Sequence, residues 1–199
     1  MRKRVIVEIA EGLGNQLFMY AHAYSMAKKL SYELFIDNKS GYSLKKNSLR
    51  VHQKYMLDSF NIIQNYAPDN FIYDNKLKKL KKKVLIVIDK FSSKKFFFKE
   101  KINKLNNLKI PKNYTNLLND SFSNNIYVQG NFENYEYFNN YQDELSVFFV
   151  PKKELIKHNK EIIHKLISTN SISIHIRRNR FSDQIGLTDT INNKEKSDF

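Results

Sequence analysis

The chain has no cysteine. Disulfides and thiolate metal sites are therefore excluded, and nothing points to an oxidising compartment, so a reduced, cytoplasmic setting is the expectation. Also missing is any apolar run approaching the roughly 20 residues that a membrane-spanning helix needs. The start, Met1-Arg2-Lys3-Arg4 followed by Val5 to Ala10, has the charge-then-apolar order of a signal peptide, but Glu8 and Glu11 interrupt it. A soluble or peripheral protein is expected. Internal repeats are absent as well.

What is present suits a folded domain. Hydrophobic residues make up 41% and aromatic residues 14% of 199 positions, enough for a real core and for one domain or one and a fraction. The net charge is +14. Three sources of that charge stay open: nucleic-acid binding, affinity for an anionic membrane surface or a nucleotide donor, and a compositional habit. The lysines are spread along the chain with abundant asparagine, and no nucleic-acid module is recognisable, which favours habit as the main cause.

Arg4 to Ile9 reads as a first strand, with Val5, Val7 and Ile9 on a buried face. After it come Ala10-Glu11-Gly12-Leu13-Gly14-Asn15-Gln16. Leu17, Tyr20, Ala21, Tyr24, Ala27 and Leu30 then recur at helical spacing, with Lys28 and Lys29 suited to the carboxyl end of a helix. Tyr32 to Ile36 is a second strand. Strand, glycine turn, helix and strand form a βαβ unit, which implies parallel pairing in a Rossmann-like sheet. Gly12 and Gly14 permit positive φ and close backbone approach, and the helix start offers amides and a positive dipole end to a ligand. No third glycine completes a dinucleotide fingerprint. Asn15 and Gln16 place amide side chains at the helix mouth, suited to sugar hydroxyls or phosphate; helix capping by Asn15 is the structural alternative.

Farther along, Gly41 to Gln53 reads as a polar loop, and Lys76 to Lys83 is a lysine run. Val84 to Ile88 is either a strand or one side of a helix. Phe96-Phe97-Phe98 is read as core in preference to a membrane-facing patch. Pro111 marks a boundary within the Asn-rich connector from Asn103 to Asn125. Ile126 to Val128 is a strand ending at Gly130, Asn134 to Phe149 carries apolar residues at helical spacing, and Lys152 to Ser168 is an amphipathic helix. Ser171 to Ile176 alternates isoleucine with polar residues, a strand pattern, and Arg177 and Arg178 follow at its carboxyl end. In an open α/β sheet that end faces the ligand crevice. Planar guanidinium forks there match a pyrophosphate, with His175 as an added donor; a solvated arginine pair is the plainer reading.

Taken together these segments resemble a known family. Gly12-Leu13-Gly14-Asn15-Gln16-Leu17-Phe18 with Tyr20-Ala21, then Leu57 to Ile62, then Tyr127 to Glu133 with Tyr137-Phe138, then Ile174-His175-Ile176-Arg177-Arg178, are similar in order and kind to the motifs of the bacterial α-1,2-fucosyltransferases. The likeness runs from about Val5 to Arg178.

The resemblance implies a GT-B glycosyltransferase: two Rossmann-like α/β domains, each a parallel sheet with flanking helices, facing a cleft. Gly12, Gly14, Asn15 and Gln16 fall on the acceptor side, and His175, Arg177 and Arg178 on the donor side. The implied reaction is inverting transfer of L-fucose from GDP-fucose to the 2-hydroxyl of a terminal galactose in a glycan, with no required metal and no other cofactor. Arg177 is the implied catalytic cation for the leaving diphosphate. Implied partners are GDP-fucose and a galactose-terminated acceptor, with peripheral contact to the inner face of an anionic membrane left open and nucleic acid disfavoured. Two departures stand out: Asn179 and Arg180 replace the family's usual glycine and aspartate, and Glu11 stands where glycine is usual. Glu11 reads either as a general base toward the acceptor hydroxyl or as a solvated loop carboxylate. The expected division is an acceptor-side domain over 1–168 and the start of a donor domain over 169–199, the second domain being largely missing and activity of this chain alone impaired. A basic nucleic-acid-binding domain and a noncatalytic glycan binder are the alternatives.

Overall fold

A computed structural model describes residues 2–43, 54–100, 121–152, 159–172 and 174. The chain divides into two compact units, Met1–Leu155 and Ile156–Phe199. The sequence-based boundary lies after Ser168 instead, so helix Lys160–Ser168 groups with the later unit.

Among its described residues the first unit is built on four parallel strands. β1 (Arg4–Glu8) leads through α1 (Leu13–Leu30) to β2 (Glu33–Asp37), and α2 (Lys76–Phe91) leads to β3 (Lys95–Lys99) and β4 (Phe122–Gln129). The strand order is β2-β1-β4-β3. Val5 pairs with Leu34 and Ile126, and Val7 with Ile36 and Val128, so β1 is hydrogen-bonded on both edges. This is the expected α/β, Rossmann-like arrangement, with the βαβ unit at its start.

Period-two alternation sends the strands into two cores. Val5, Val7, Ile9, Ile126 and Val128 pack against Met19, Tyr20, Ala23 and Met26 of α1. On the other face Ile6, Tyr73 and Tyr127 form a second cluster with Phe35, Phe96 and Phe97 beside it. Each fully buried aliphatic or aromatic side chain contributes roughly 1.5–3 kcal/mol of transfer free energy, and the interleaving explains why a chain so rich in lysine still folds. Phe96 to Phe98 thus belong to a half-buried strand, as the core reading expects.

α1 ends where Ser31 enters the left-handed region (φ 56) and its N–H reaches the carbonyls of Ala27 and Lys28. Lys28 and Lys29 occupy its last turn, where cations suit the dipole. Val84 to Ile88 resolves as helix, inside α2. The stretch from Asn134 is less helical than its spacing suggests: two short 3-10 turns, Tyr135–Tyr137 and Asn139–Tyr141, precede α3 (Gln142–Phe148). Tyr24 donates its hydroxyl to Glu144, which also pairs with Lys28 at 3.0 Å and so holds α3 against α1.

In the second unit, α4 (Lys160–Ser168) is followed by Ser171 and Ile172, neither in a strand. Ile172 and Ile174 are exposed at 89% and 79%. The buried strand expected over Ser171 to Ile176 therefore does not appear at its described positions, where no strand among the described residues pairs with them.

Candidate functional site

Ligands of open parallel sheets gather beyond the carboxyl ends of the strands. At that edge the central pair, β1 and β4, runs into two turns.

The turn after β1 positions the predicted acceptor-side residues. Glu11 takes φ 65, the left-handed region that favours glycine, whereas Gly12 is extended (φ −79, ψ 168) and caps α1 through its backbone alone. The bend thus falls on Glu11, a correction to the expectation that Gly12 and Gly14 supply the unusual φ. What the glycines supply is space: a Cβ built on Gly12 or Gly14 meets nothing within 4 Å. The first amides of a helix have no intrahelical partner, and the first turn of α1 carries no acidic residue, so its mouth presents a partly positive helix end beside two glycines with open space around them.

Asn15 does not cap the helix. Its Nδ2 donates to Glu11 Oε2 at 2.7 Å, which steadies the Glu11 side chain at the lip of the mouth. Gln16 is fully buried: its Nε2 donates to the carbonyls of Glu11 and Lys54, both at 2.8 Å, and its Oε1 accepts from the Met56 N–H at 2.9 Å. Gln16 is therefore a strut that joins the turn to the 54–56 segment and shapes the mouth from behind. His175, Arg177 and Arg178 lie outside the described residues.

The turn after β4 is held by Glu100. Its Oε2 accepts from the N–H groups of Asn131 and Phe132, at 2.9 and 3.0 Å. Gly130 has φ 152, and a Cβ there would stand 2.4 Å from Glu100 Cβ, so glycine alone fits. Phe132, buried with φ 51, stacks on the His22 ring of α1 at 3.7 Å between centroids.

A further polar group escaped the sequence reading. Glu8 ends β1, Asp37 ends β2, and the Tyr127 hydroxyl of β4 lies 2.8 Å from Glu8 Oε2 and 2.6 Å from Asp37 Oδ2. One hydroxyl proton serves two carboxylates. Lys82 of α2 supplies the balancing charge: its Nζ is 2.5 Å from Glu8 Oε2 and 4.3 Å from the centre of the Tyr127 ring. Burial first, then the Glu8 and Asp37 charges, push the Tyr127 hydroxyl far above the ordinary phenol range, so it stays a donor. Asp37 Oδ1 also accepts the N–H groups of Lys39 and Ser40. A carboxylate at the carboxyl end of each of the first two strands was the available signal, since that edge is where charge collects in such sheets.

With this geometry in place, a comparison with known proteins bears on it. The chain is similar to a glycosyltransferase. It is 27% identical over 187 residues to an α-1,2-colitosyltransferase of Escherichia coli, across 91% of this chain and 56% of that protein. The chain thus spans little more than half the length of that relative. No family model and no solved structure matches it.

Proposed function

We propose that this chain forms the acceptor-side part of an inverting glycosyltransferase that moves L-fucose from GDP-fucose to the 2-hydroxyl of a terminal galactose. The observation that carries the reading is the open mouth at Gly12 and Gly14, at the carboxyl end of β1, where a sugar can rest on the amides of α1. The similarity to a transferase named for an α-1,2 linkage supports it.

In this reaction the galactose O2 forms a bond to the fucose anomeric carbon while that carbon's bond to the diphosphate oxygen breaks. The O2 proton goes to a base, and Glu11, at the lip of the mouth, is the candidate for it. GDP departs with added negative charge, and a guanidinium can neutralise it through paired hydrogen bonds. Arg177 takes that role by its place in the motif, with His175 and Arg178 beside the nucleotide.

Calorimetric titration of the chain with GDP-fucose and with a β-galactoside tests this. Binding of GDP-fucose that weakens by about tenfold or more in Arg177→Ala is expected. Gly14→Leu adds a side chain to the open mouth from an exposed helical position, so acceptor binding should fall while thermal unfolding is not lowered, leucine being the better helix former. Absence of nucleotide-sugar binding, or acceptor binding indifferent to Gly14→Leu, would overturn the proposal. The relative's name favours one second reading, colitose as the donated sugar; binding of a nucleotide-activated colitose in preference to GDP-fucose would select it.

A further inference from the structure

α2 is inside out. Its sequence holds seven lysines and one aspartate, yet Lys82 is its buried residue, while Leu77, Leu80, Val84, Val87, Ile88 and Phe91 are exposed at 52% to 88%. At 3.6 residues per turn those six fall within an arc of roughly 100°, on the side opposite Lys82 and Asp89.

The docking of α2 to the sheet explains how such an exposed stripe is tolerated. Asn75 caps its start, with Oδ1 accepting from the Lys78 N–H at 2.9 Å. Lys82 pairs with Glu8 in its middle. At its end Asp89 accepts the N–H groups of Phe96 and Phe97, at 2.6 and 3.2 Å. Polar anchors, with Leu85 and Ile86 half-buried beside Lys82, therefore seat the helix, and the exposed apolar stripe takes no part in holding it.

Charge selects the occupant of that stripe. Lys76, Lys83 and Lys90 border it on one side and Lys81 on the other. Its spacing is also that of a coiled-coil seam, but a second copy would set lysine against lysine along both borders. Nucleic acid would use the lysines and leave the stripe bare. An anionic lipid surface uses both: acyl chains receive the stripe, and lysine stems reach sideways so that their ammonium groups meet the headgroups. No helix among the described residues is long and apolar enough to cross a membrane, so α2 would lie in the interface plane.

We propose that the outward face of α2 is a membrane-binding surface that inserts Leu80, Val84 and Val87 into anionic bilayers. Co-sedimentation of the whole chain with phosphatidylcholine vesicles, with and without phosphatidylglycerol, tests it. Binding to the phosphatidylglycerol vesicles is expected, weakening as salt rises, and falling about tenfold or more in the double variant Leu80→Glu/Val87→Glu. Both positions are solvent-facing, so an unchanged circular dichroism spectrum is expected alongside. Absence of binding would overturn the proposal, as would binding that the double variant leaves intact, which is adhesion of lysines without insertion. A dimer in sedimentation equilibrium that the same variant abolishes, or retention by generic DNA in place of vesicles, would assign the face to another occupant and overturn it too.

Discussion

Glu11 combines an unfavourable backbone with a useful position. A residue bearing a Cβ costs about 1 kcal/mol in the left-handed region, a cost that glycine avoids. Glu11→Gly and Glu11→Ala both lose the Asn15 contact, so their difference isolates the backbone. Denaturant unfolding should find Glu11→Gly more stable than Glu11→Ala by about 1 kcal/mol, although glycine is the more flexible residue when unfolded. His22 shows the opposite economy, a titratable ring used as an aromatic slab stacked on Phe132 with Phe98 beside both. Burial, and secondarily the charge of Lys29, lower its pKa from 6.5 to about 3. Since the folded value lies below the unfolded one, this stability is complete above pH 6.5 and is lost as pH falls toward 3. The slope is about 1.4 kcal/mol per pH unit, so about 2 kcal/mol should disappear by about pH 5. Urea unfolding of the parent and of His22→Phe at both pH values checks this; the variant should lack that part of the loss.

At the scale of elements, α2 and the sheet depend on one ammonium group. Removing Lys82 leaves Glu8 and Asp37 converging on a single hydroxyl without their paired ammonium group, with only the more distant charge of Lys79 acting on Glu8, and uncompensated buried charge costs roughly 3–5 kcal/mol. Lys82→Met should therefore destabilise the protein by about 3 kcal/mol in denaturant unfolding, the lower end because Lys82 and Glu8 keep some exposure. Glu8→Gln placed on top of Lys82→Met should restore part of it, since the pair shares one interaction. A near-additive double variant would show that the two groups act separately. The same dependence accounts for Val84 to Ile88, whose β-branched run is consistent with strand or helix. Asn75, Lys82 and Asp89 sit on one helical face and each meets a partner, and those contacts decide for helix.

For the molecule as a whole, the order β2-β1-β4-β3 places β1 in the interior, and its carboxyl end carries both the Glu8 cluster and the Glu11–Gly14 mouth. The acceptor-side reading and the membrane-facing helix thus belong to one sheet, approached from its edge and from its α2 face. Periodicity made much of this architecture legible. The first strand, α1 and the second strand follow from local alternation and helical spacing, because burial repeats with the geometry of each element. Gly12, Gly14 and Asn15 were legible as a helix mouth for the same reason. Long-range pairings decided the rest. That Gln16 turns inward to brace residues 54–56, that Glu8, Asp37, Tyr127 and Lys82 converge from three strands and a helix, and that the apolar side of α2 faces outward are facts about neighbours distant in the chain. A sequence states which side chains an element can present on each face; which face is covered depends on what the tertiary fold brings against it.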